Sequence, residues 1–247
     1  MLVCRDAARG AAAVDAIRDR TGNAAVALER CDLGHLDAVR ACAAALRAAH
    51  PRIDVLVNNA GVYLPRRQLT PDGHERMLAV NHLAPFLLTN LLLDRLDGAR
   101  VVTTSSAAHA IARMDPRDLD AARRFAPMRQ YGVTKLANVL FTRELARREP
   151  GVVATCFHPG AVGSEFGQDE PSLLRLGMRI VKPFLRTPER GADAGIWLAT
   201  APEAASLSLS GSYVVDRRVR TPRGQGTDDA LAAGLWAESA RRVGLGA

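Results

Sequence analysis

The sequence has few aromatic residues and lacks a long uninterrupted apolar run. Aromatic side chains make up 4% of its 247 residues. The best candidate for a membrane span, residues 83–93, is shorter than the ~18 residues that a spanning helix needs, and it contains Asn90. Charges at Arg5 and Asp6 stand at the start of the chain with no apolar region behind them. We therefore expect neither a membrane span nor a secretory signal.

Paired cysteines are also absent from the sequence. Cys4, Cys31, Cys42 and Cys156 are scattered, and no Cys-x-x-Cys pair occurs. This pattern fits reduced thiols in the cytoplasm better than a disulfide framework. Histidine and cysteine form no cluster with the spacing of metal ligands, so no metal is expected. Apolar residues make up 48% of the chain, which is enough for a sizeable core and excludes a wholly disordered protein.

Positive charge exceeds negative charge by seven, which raises nucleic acid as a partner. The arginines are spread along the whole chain, and their densest stretch, residues 217–223, has no interleaved aromatic residues. The sequence contains neither zinc-finger spacing nor an aromatic RNA-binding motif. We therefore expect no nucleic-acid partner. An anionic small molecule could use a few of the cations, and the remainder are expected to be solvated.

Short strand-like runs alternate with longer amphipathic stretches along the chain. Continuous apolar strands between helices predict a doubly wound α/β fold with a parallel sheet covered on both faces. No repeat or linker interrupts the pattern, which predicts one domain over residues 1–247. The predicted strands are residues 2–4, 24–31, 53–58, 100–104, 152–157 and 212–216, and the predicted helices are residues 7–20, 36–50, 73–96, 131–148, 188–200 and 227–243.

Tyr131 and Lys135 are four residues apart on a predicted helix and therefore share one face. A phenol with a pKa near 10 exchanges protons poorly at neutral pH, and a neighbouring ammonium favours the phenolate and lowers that pKa. Such a tyrosine can pass the proton that accompanies hydride transfer to a carbonyl, while a hydroxyl such as that of Ser106 holds the same oxygen. Read alone, such a pair on a helix is more often an ordinary surface contact.

Polar motifs follow successive predicted strands. Residues 58–61 (NNAG) end one strand, Ser105 and Ser106 end the next, and residues 158–160 (HPG) follow a third. Ligands of an open parallel sheet bind at the carboxyl ends of its strands. With its Ser-Ser-x-Ala-His and Tyr-x-x-x-Lys-Leu-Ala-Asn patterns, the sequence resembles the short-chain dehydrogenases/reductases, and in particular the branch that contains retinol dehydrogenases. The resemblance extends over nearly the whole chain and implies a Rossmann-like fold.

The resemblance also implies catalytic roles. Tyr131 would be the acid/base, Lys135 would lower its pKa and bind the nicotinamide ribose, and Ser106 would hold the substrate oxygen. Ser105 is the less favoured serine. Asn81 matches the asparagine that positions a proton-relay water in the family, although a helical asparagine is more often bonded to nearby backbone. A Ser–His–acid hydrolase is excluded because the chain has no Gly-x-Ser-x-Gly motif.

Cofactor binding is implied at four further places. The small residues of the segment 59–61 would let the backbone approach the cofactor closely. Asp32 would contact adenine together with Leu33, but an aspartate in this place is alternatively an ordinary helix cap. Arg5 follows the predicted strand 2–4 where an acid would favour NAD, so NADP(H) is favoured over NAD(H), unless Arg5 merely pairs with a surface carboxylate. The implied contacts are Asn59, Ala60 and Gly61 with the adenosine half, and Pro159, Gly160, Val162 and Ser164 with the nicotinamide.

One part of the family pattern has no counterpart here. The Thr-Gly-x-x-x-Gly-x-Gly phosphate-binding loop, with the first strand and first helix, should precede residues 2–4 and is missing, and the Gly-containing residues 222–226 lie in the wrong place to replace it. The family's strands, in the family's own numbering, have the order 3-2-1-4-5-6-7. Without strand 1, two unpaired edges are left inside the sheet, and the pyrophosphate loses its helix N-terminus. We expect either a gene start placed too late or a true loss.

These observations predict an oxidoreductase that interconverts a carbonyl and an alcohol on a lipophilic small molecule with NADP(H). Residues 166–187 would form the variable, apolar substrate lid. The alternative is a redox-inactive binding or regulatory relative that lost cofactor binding with the Gly-rich loop. A homo-oligomer is usual in the family, but nothing in the helix patterns specifies one.

Overall fold

The chain forms an α/β fold in which helices alternate with mostly parallel strands, as the sequence predicted. A computed structural model describes residues 1–160 and 186–246. In these residues the strands are β1 (Leu2–Cys4), β2 (Leu28–Arg30), β3 (Val55–Asn58), β4 (Arg100–Thr104), β5 (Val153–His158), β6 (Ser212–Val215) and β7 (Arg218–Arg220). The helices are α1 (Ala7–Thr21), α2 (Leu36–Ala49), α3 (Arg76–Leu78), α4 (Ala84–Leu91), α5 (Pro127–Arg148), α6 (Pro188–Thr200) and α7 (Asp229–Arg242).

Local sequence signals explain where several helices begin and end. The Asp6 carboxylate accepts a hydrogen bond from the Arg9 backbone N–H at 2.9 Å and caps α1, which ends at Gly22 with φ of 69°. Proline occupies the first turn of both α5 and α6, where its missing N–H has no intrahelical partner in any case. These three helices therefore begin at residue types that favour a helix start.

The strands form two separate sheets. One contains β1 and β2, which are parallel, and the other has the order β3-β4-β5-β6-β7. Neighbouring strands from β3 to β6 are parallel, but β7 pairs antiparallel with β6 through a tight turn at Asp216 and Arg217. Both turn residues have positive φ, 50° and 57°, as a two-residue hairpin requires. The sequence did not predict β7, which adds one antiparallel strand at the edge of the predicted parallel sheet.

The two sheets leave the edges of β1 and β3 without a strand between them. Both edges line one cavity of about 760 Å³. Val57, in the middle of β3, is 48% exposed. The sequence predicted a fully buried strand over residues 53–58, and this was wrong because β3 is an edge strand here. In the family's numbering, β1 and β3 of this chain correspond to strands 2 and 4. The sheet is interrupted between them, where the family's first strand would lie.

The main core lies between the large sheet and helices α2, α4, α5 and α7. Trp236 of α7 stacks on Phe141 of α5 with ring centroids 5.8 Å apart and meets the edge of Phe86 of α4 at 4.9 Å. A second apolar cluster joins β4, β5 and β6 to α6 and includes the partly buried Trp197. Both tryptophans therefore have packing roles inside this chain.

The predicted helix 73–96 is divided in the structure. Helix α3 passes into a π-helical segment, Ala79–Leu83, before α4 begins, and a separate short turn covers Leu93–Arg95. Single π-helical turns inside α-helices frequently occur at functional sites. The described helices include none that is long and apolar enough to cross a lipid bilayer.

Candidate active site

The polar motifs of the sequence meet at one edge of the large sheet. Residues 59–61 follow β3, Ser105 and Ser106 follow β4, and Pro159 and Gly160 follow β5. These three strands are parallel neighbours, so their carboxyl ends lie side by side. The N-terminal half of α5, with Tyr131 and Lys135, covers the same edge and packs against the turn that begins at Ser106.

Asn81 lies on the π-helical segment and is completely buried. Its amide oxygen accepts a hydrogen bond from the Val62 backbone N–H at 2.7 Å, and its amide nitrogen donates to the Val62 carbonyl at 3.0 Å. The second amide proton goes to the Thr134 hydroxyl at 3.0 Å. Asn81 thus binds backbone that is 19 residues away, whereas the ordinary alternative was bonding to nearby helix backbone. It fixes the loop after β3 against α5.

Thr134 is a site residue that the sequence reading did not single out. Its hydroxyl accepts from Asn81 and donates to the Tyr131 carbonyl at 2.8 Å, which links the π-helical segment to the first turns of α5. The signal was present, because Thr134 lies inside the Tyr-x-x-x-Lys motif, three residues after Tyr131. A threonine hydroxyl that bonds backbone within its own helix is common, so the spacing alone did not identify it.

The two serines after β4 have different partners. The Ser105 hydroxyl is buried and donates to the Lys135 carbonyl at 2.8 Å, so it anchors α5 to β4. The Ser106 hydroxyl accepts from the Ala108 backbone N–H at 3.2 Å, capping the turn Ala107–Ile111, and it also hydrogen-bonds with Tyr131. Ser106, which the sequence preferred, is therefore the serine that reaches the tyrosine.

Tyr131 has its phenol in a largely buried position. Burial raises the pKa of Tyr131, and the hydrogen bond with Ser106 acts in the opposite direction. The sequence predicted a lowered pKa caused by Lys135, and the direction is a correction to that prediction. The Lys135 ammonium lies 5.5 Å from the centroid of the Tyr131 ring, over its face, while desolvation acts on the phenolate directly.

Lys135 is buried next to the Thr104 carbonyl, to which its ammonium donates at 3.2 Å. Burial lowers the pKa of Lys135 to about 8. A Cβ atom at Gly61 would lie 3.4 Å from both the Lys135 nitrogen and the Asn81 amide oxygen. The Gly61 backbone therefore lies directly against the ammonium.

The other predicted cofactor contacts are only partly brought together. Asn59, Ala60 and Leu33 line the cavity between β1 and β3, and Asn59 also accepts a hydrogen bond from the Thr104 hydroxyl at 2.9 Å. Asp32 accepts the Gly34 N–H at 2.9 Å in the turn before α2, which resembles its alternative role as a cap. Arg5 is exposed at the end of β1.

The predicted nicotinamide contacts and the predicted substrate lid lie at the end of β5 and beyond it. Pro159 and Gly160 follow β5, and Gly160 has φ of 84°, a conformation that favours glycine. Val162, Ser164 and nearly all of the predicted lid 166–187 lie outside the described residues. Within residues 1–160 and 186–246, His, Cys, Asp and Glu side chains form no group of three that could hold a metal ion.

The fold and this site define a class of protein that comparison with known sequences also identifies. The family model for short chain dehydrogenases matches residues 1–172, and the chain belongs to that family. It is an oxidoreductase of the type that interconverts carbonyls and alcohols.

Individual relatives cover almost the whole chain. It is 42% identical over 226 residues to "Putative daunorubicin C-13 ketoreductase DnrU" of Streptomyces sp. (strain C5), covering 91% of this chain and 77% of the relative. It is 39% identical over 249 residues to human retinol dehydrogenase 12, covering 99% and 78%. A crystal structure of an uncharacterized protein from Mycobacterium paratuberculosis superimposes with a TM-score of 0.73 at 33% identity, covering 98% and 82%.

Proposed function

We propose that this protein interconverts a carbonyl and an alcohol on a lipophilic small molecule by hydride transfer with NADP(H), with Tyr131 as the acid/base. The observation that carries the proposal is the assembly of Ser106, Tyr131, Lys135 and Asn81 at one edge of the sheet. The two named relatives, a ketoreductase and a retinol dehydrogenase, support a lipophilic carbonyl or alcohol as the substrate class.

The surroundings of Lys135 fit a nicotinamide cofactor. The Lys135 ammonium lies against the Gly61 backbone and has donors to spare after its bond to the Thr104 carbonyl, so these donors would bind ribose hydroxyls of the cofactor. The bound cofactor supplies or accepts the hydride. Every remaining step belongs to side chains of this chain, which hold the substrate oxygen and move its proton.

Ser106 and Tyr131 divide that work between them. The Ser106 hydroxyl accepts the Ala108 N–H and still has its own proton, which it can donate to Tyr131 or to a substrate oxygen next to it. The raised pKa of Tyr131 keeps its phenol protonated at neutral pH, which suits donation to the alkoxide formed when a carbonyl is reduced.

The preference for NADP(H) is proposed from the end of β1. Arg5 is exposed there, and the next residue, Asp6, uses its carboxylate to cap α1. A cation at this place accommodates the 2′-phosphate of NADP, whereas NAD is favoured by an acid that is available to the ribose.

The four cysteines are all free thiols, which supports a cytoplasmic location. We assign residues 1–247 to one short-chain dehydrogenase domain.

One observation favours the second candidate, a redox-inactive binding or regulatory relative. The edges of β1 and β3 face a cavity, and the described residues provide no Gly-rich turn at the end of a strand there to cradle the pyrophosphate. A protein of this kind would keep the sheet and the site side chains but would bind NADP(H) weakly or not at all.

A titration of NADPH fluorescence on the purified chain, with NADH alongside, separates the two candidates. We expect saturable binding that favours NADPH, followed by NADPH oxidation with retinal as the probe carbonyl. Tyr131→Phe should then lower turnover at least ~100-fold while leaving the Kd for NADPH unchanged. Failure to bind NADPH would support the inactive relative, and unchanged turnover in Tyr131→Phe would contradict the role of the tyrosine.

A further inference from the structure

His109 connects the segment that carries Ser106 to a distant part of the chain. Its Nδ1 atom lies 2.7 Å from the Ser106 carbonyl oxygen, and its Nε2 atom lies 3.2 Å from the Arg223 backbone nitrogen. The ring is buried and its edge contacts the ring of Tyr213 in β6, with centroids 4.8 Å apart. Both ring nitrogens therefore have a defined backbone partner.

These partners leave one arrangement of protons on the imidazole. A backbone N–H can only donate, so Nε2 of His109 accepts from Arg223. A carbonyl can only accept, so Nδ1 carries the proton and donates to Ser106. Burial lowers the pKa of His109 from its usual value and favours the neutral ring that this arrangement needs. The Ser106 carbonyl also accepts the His109 backbone N–H at 3.1 Å.

The segment 222–227 follows β7 and lies against the turn Ala107–Ile111. Besides the Arg223 bond, the Gln225 side chain accepts the Met114 backbone N–H at 2.8 Å. A Cβ atom at Gly224 would lie 3.3 Å from the Ala110 carbonyl oxygen, and Gly224 has φ of 59°. The glycines of this segment thus allow a close approach to the turn that Ser106 begins.

We propose that His109 is the positioning residue of Ser106: its Nδ1–H fixes the serine carbonyl, and the segment 222–227 fixes the tautomer that makes this possible. The inference rests on the proposed function, in which Ser106 holds the substrate oxygen and hydrogen-bonds with Tyr131. Since the serine hydroxyl must meet both groups, a displacement of its backbone misaligns the reacting atoms.

Two matched variants separate the two hydrogen bonds of the ring. In His109→Asn the amide nitrogen can replace Nδ1 and keep the bond to Ser106, while the acceptor for Arg223 is lost. In His109→Gln the longer amide can keep the acceptor for Arg223, while the donor to Ser106 is lost. Both variants remove the ring contact with Tyr213, so their losses of thermal stability should be similar.

We expect His109→Gln to lower kcat about tenfold with an unchanged Kd for NADPH, and His109→Asn to stay within about threefold of the original protein. The Ser106 hydrogen bond lowers the pKa of Tyr131, so His109→Gln should also shift the phenol-controlled limb of the pH profile upwards. Equal losses of kcat in the two variants at equal thermal stability would overturn the proposal, as would an unchanged kcat in His109→Gln.

The tautomer can be measured on the unmodified chain, which keeps the proposal testable if a variant does not fold or if retinal is not reduced. Nitrogen-15 NMR of the histidines should show one neutral ring with the proton on Nδ1, the form that is the minority for free histidine, and His109→Asn should remove that signal. If the signal assigned to His109 shows the proton on Nε2, the proposal is wrong. A failure of the proposed function would instead show as absent NADPH binding with this signal intact.

Discussion

Lys135 carries a positive charge in a site that is almost completely buried, and burial opposes that charge. Its pKa falls from 10.5 to about 8. Each pKa unit corresponds to about 1.4 kcal/mol, so at pH 7 the buried ammonium lowers the free energy of unfolding by about 3 kcal/mol. Methionine has a similar length and no charge. Allowing about 1 kcal/mol for the lost bond to the Thr104 carbonyl, Lys135→Met should raise the free energy of unfolding by about 2 kcal/mol at pH 7.

The gain from Lys135→Met should disappear as the pH rises. Between pH 8 and 10.5 the unfolded chain binds the lysine proton and the folded chain does not, so the original protein becomes more stable over this window. By pH 10 the destabilisation caused by burying the ammonium has fallen to about 1 kcal/mol. The hydrogen bond that Lys135→Met loses offsets this remainder, so the two proteins should then be equally stable. Urea unfolding at pH 7 and pH 10 measures both values.

A matched control is available on the same helix. Arg129 is an exposed cation in the first turns of α5, and Arg129→Met should change the free energy of unfolding by no more than about 0.5 kcal/mol at either pH. The reasoning is refuted if Lys135→Met is less stable than the original protein at pH 7, or if its effect is the same at both pH values.

Three further substitutions test other parts of the molecule. Asn81→Ala leaves both polar groups of the Val62 backbone without their side-chain partner and should lower the free energy of unfolding by about 3 kcal/mol in urea; a loss below about 1 kcal/mol would contradict this. Arg5→Ser should weaken NADPH binding about tenfold in the fluorescence titration and leave NADH binding unchanged, and equal effects on both cofactors would count against a 2′-phosphate contact. Gly195→Ala places a Cβ atom 2.7 Å from Cζ of Phe157 and should lower the free energy of unfolding by about 1–3 kcal/mol, whereas an unaltered melting curve would show that the contact is relieved without strain.

Much of the fold could be predicted from local sequence signals. The predicted helix 36–50 corresponds to α2 at Leu36–Ala49, and residues 188–200 match α6, because apolar periodicity and helix-start residues are encoded locally. The π-helical segment was not predicted, because it lies where Asn81 bonds the distant Val62. Strand β7 was missed because its turn uses Asp216 and Arg217 at positive φ, where glycine or asparagine would have given a signal.

The site could be predicted in its membership but not in its electrostatics. Motifs at the ends of successive strands predicted that Ser106, Tyr131 and Lys135 would meet, since parallel strands place their carboxyl ends together. The pKa direction of Tyr131 could not be predicted, because it depends on how deeply the phenol is buried, and burial arises from packing of the whole chain. The role of His109 could not be predicted from the sequence, because its partner Arg223 is 114 residues away.

The division of the sheet has a consequence for local opening of the protein. The β1 amides rely on a ladder of two strands, and α1 buries only Gly10 and Val14, whereas β4 is paired on both sides within the large sheet. Hydrogen exchange should therefore be faster at Leu2–Cys4 and Leu28–Arg30 than at Arg100–Thr104. The unit formed by β1, β2 and α1 should open while the unit that contains the large sheet stays folded. A cofactor that contacts both Arg5 and the residues after β3 would tie these two units together. Slower exchange of the β1 and β2 amides on addition of NADPH would then report binding before any turnover is measured.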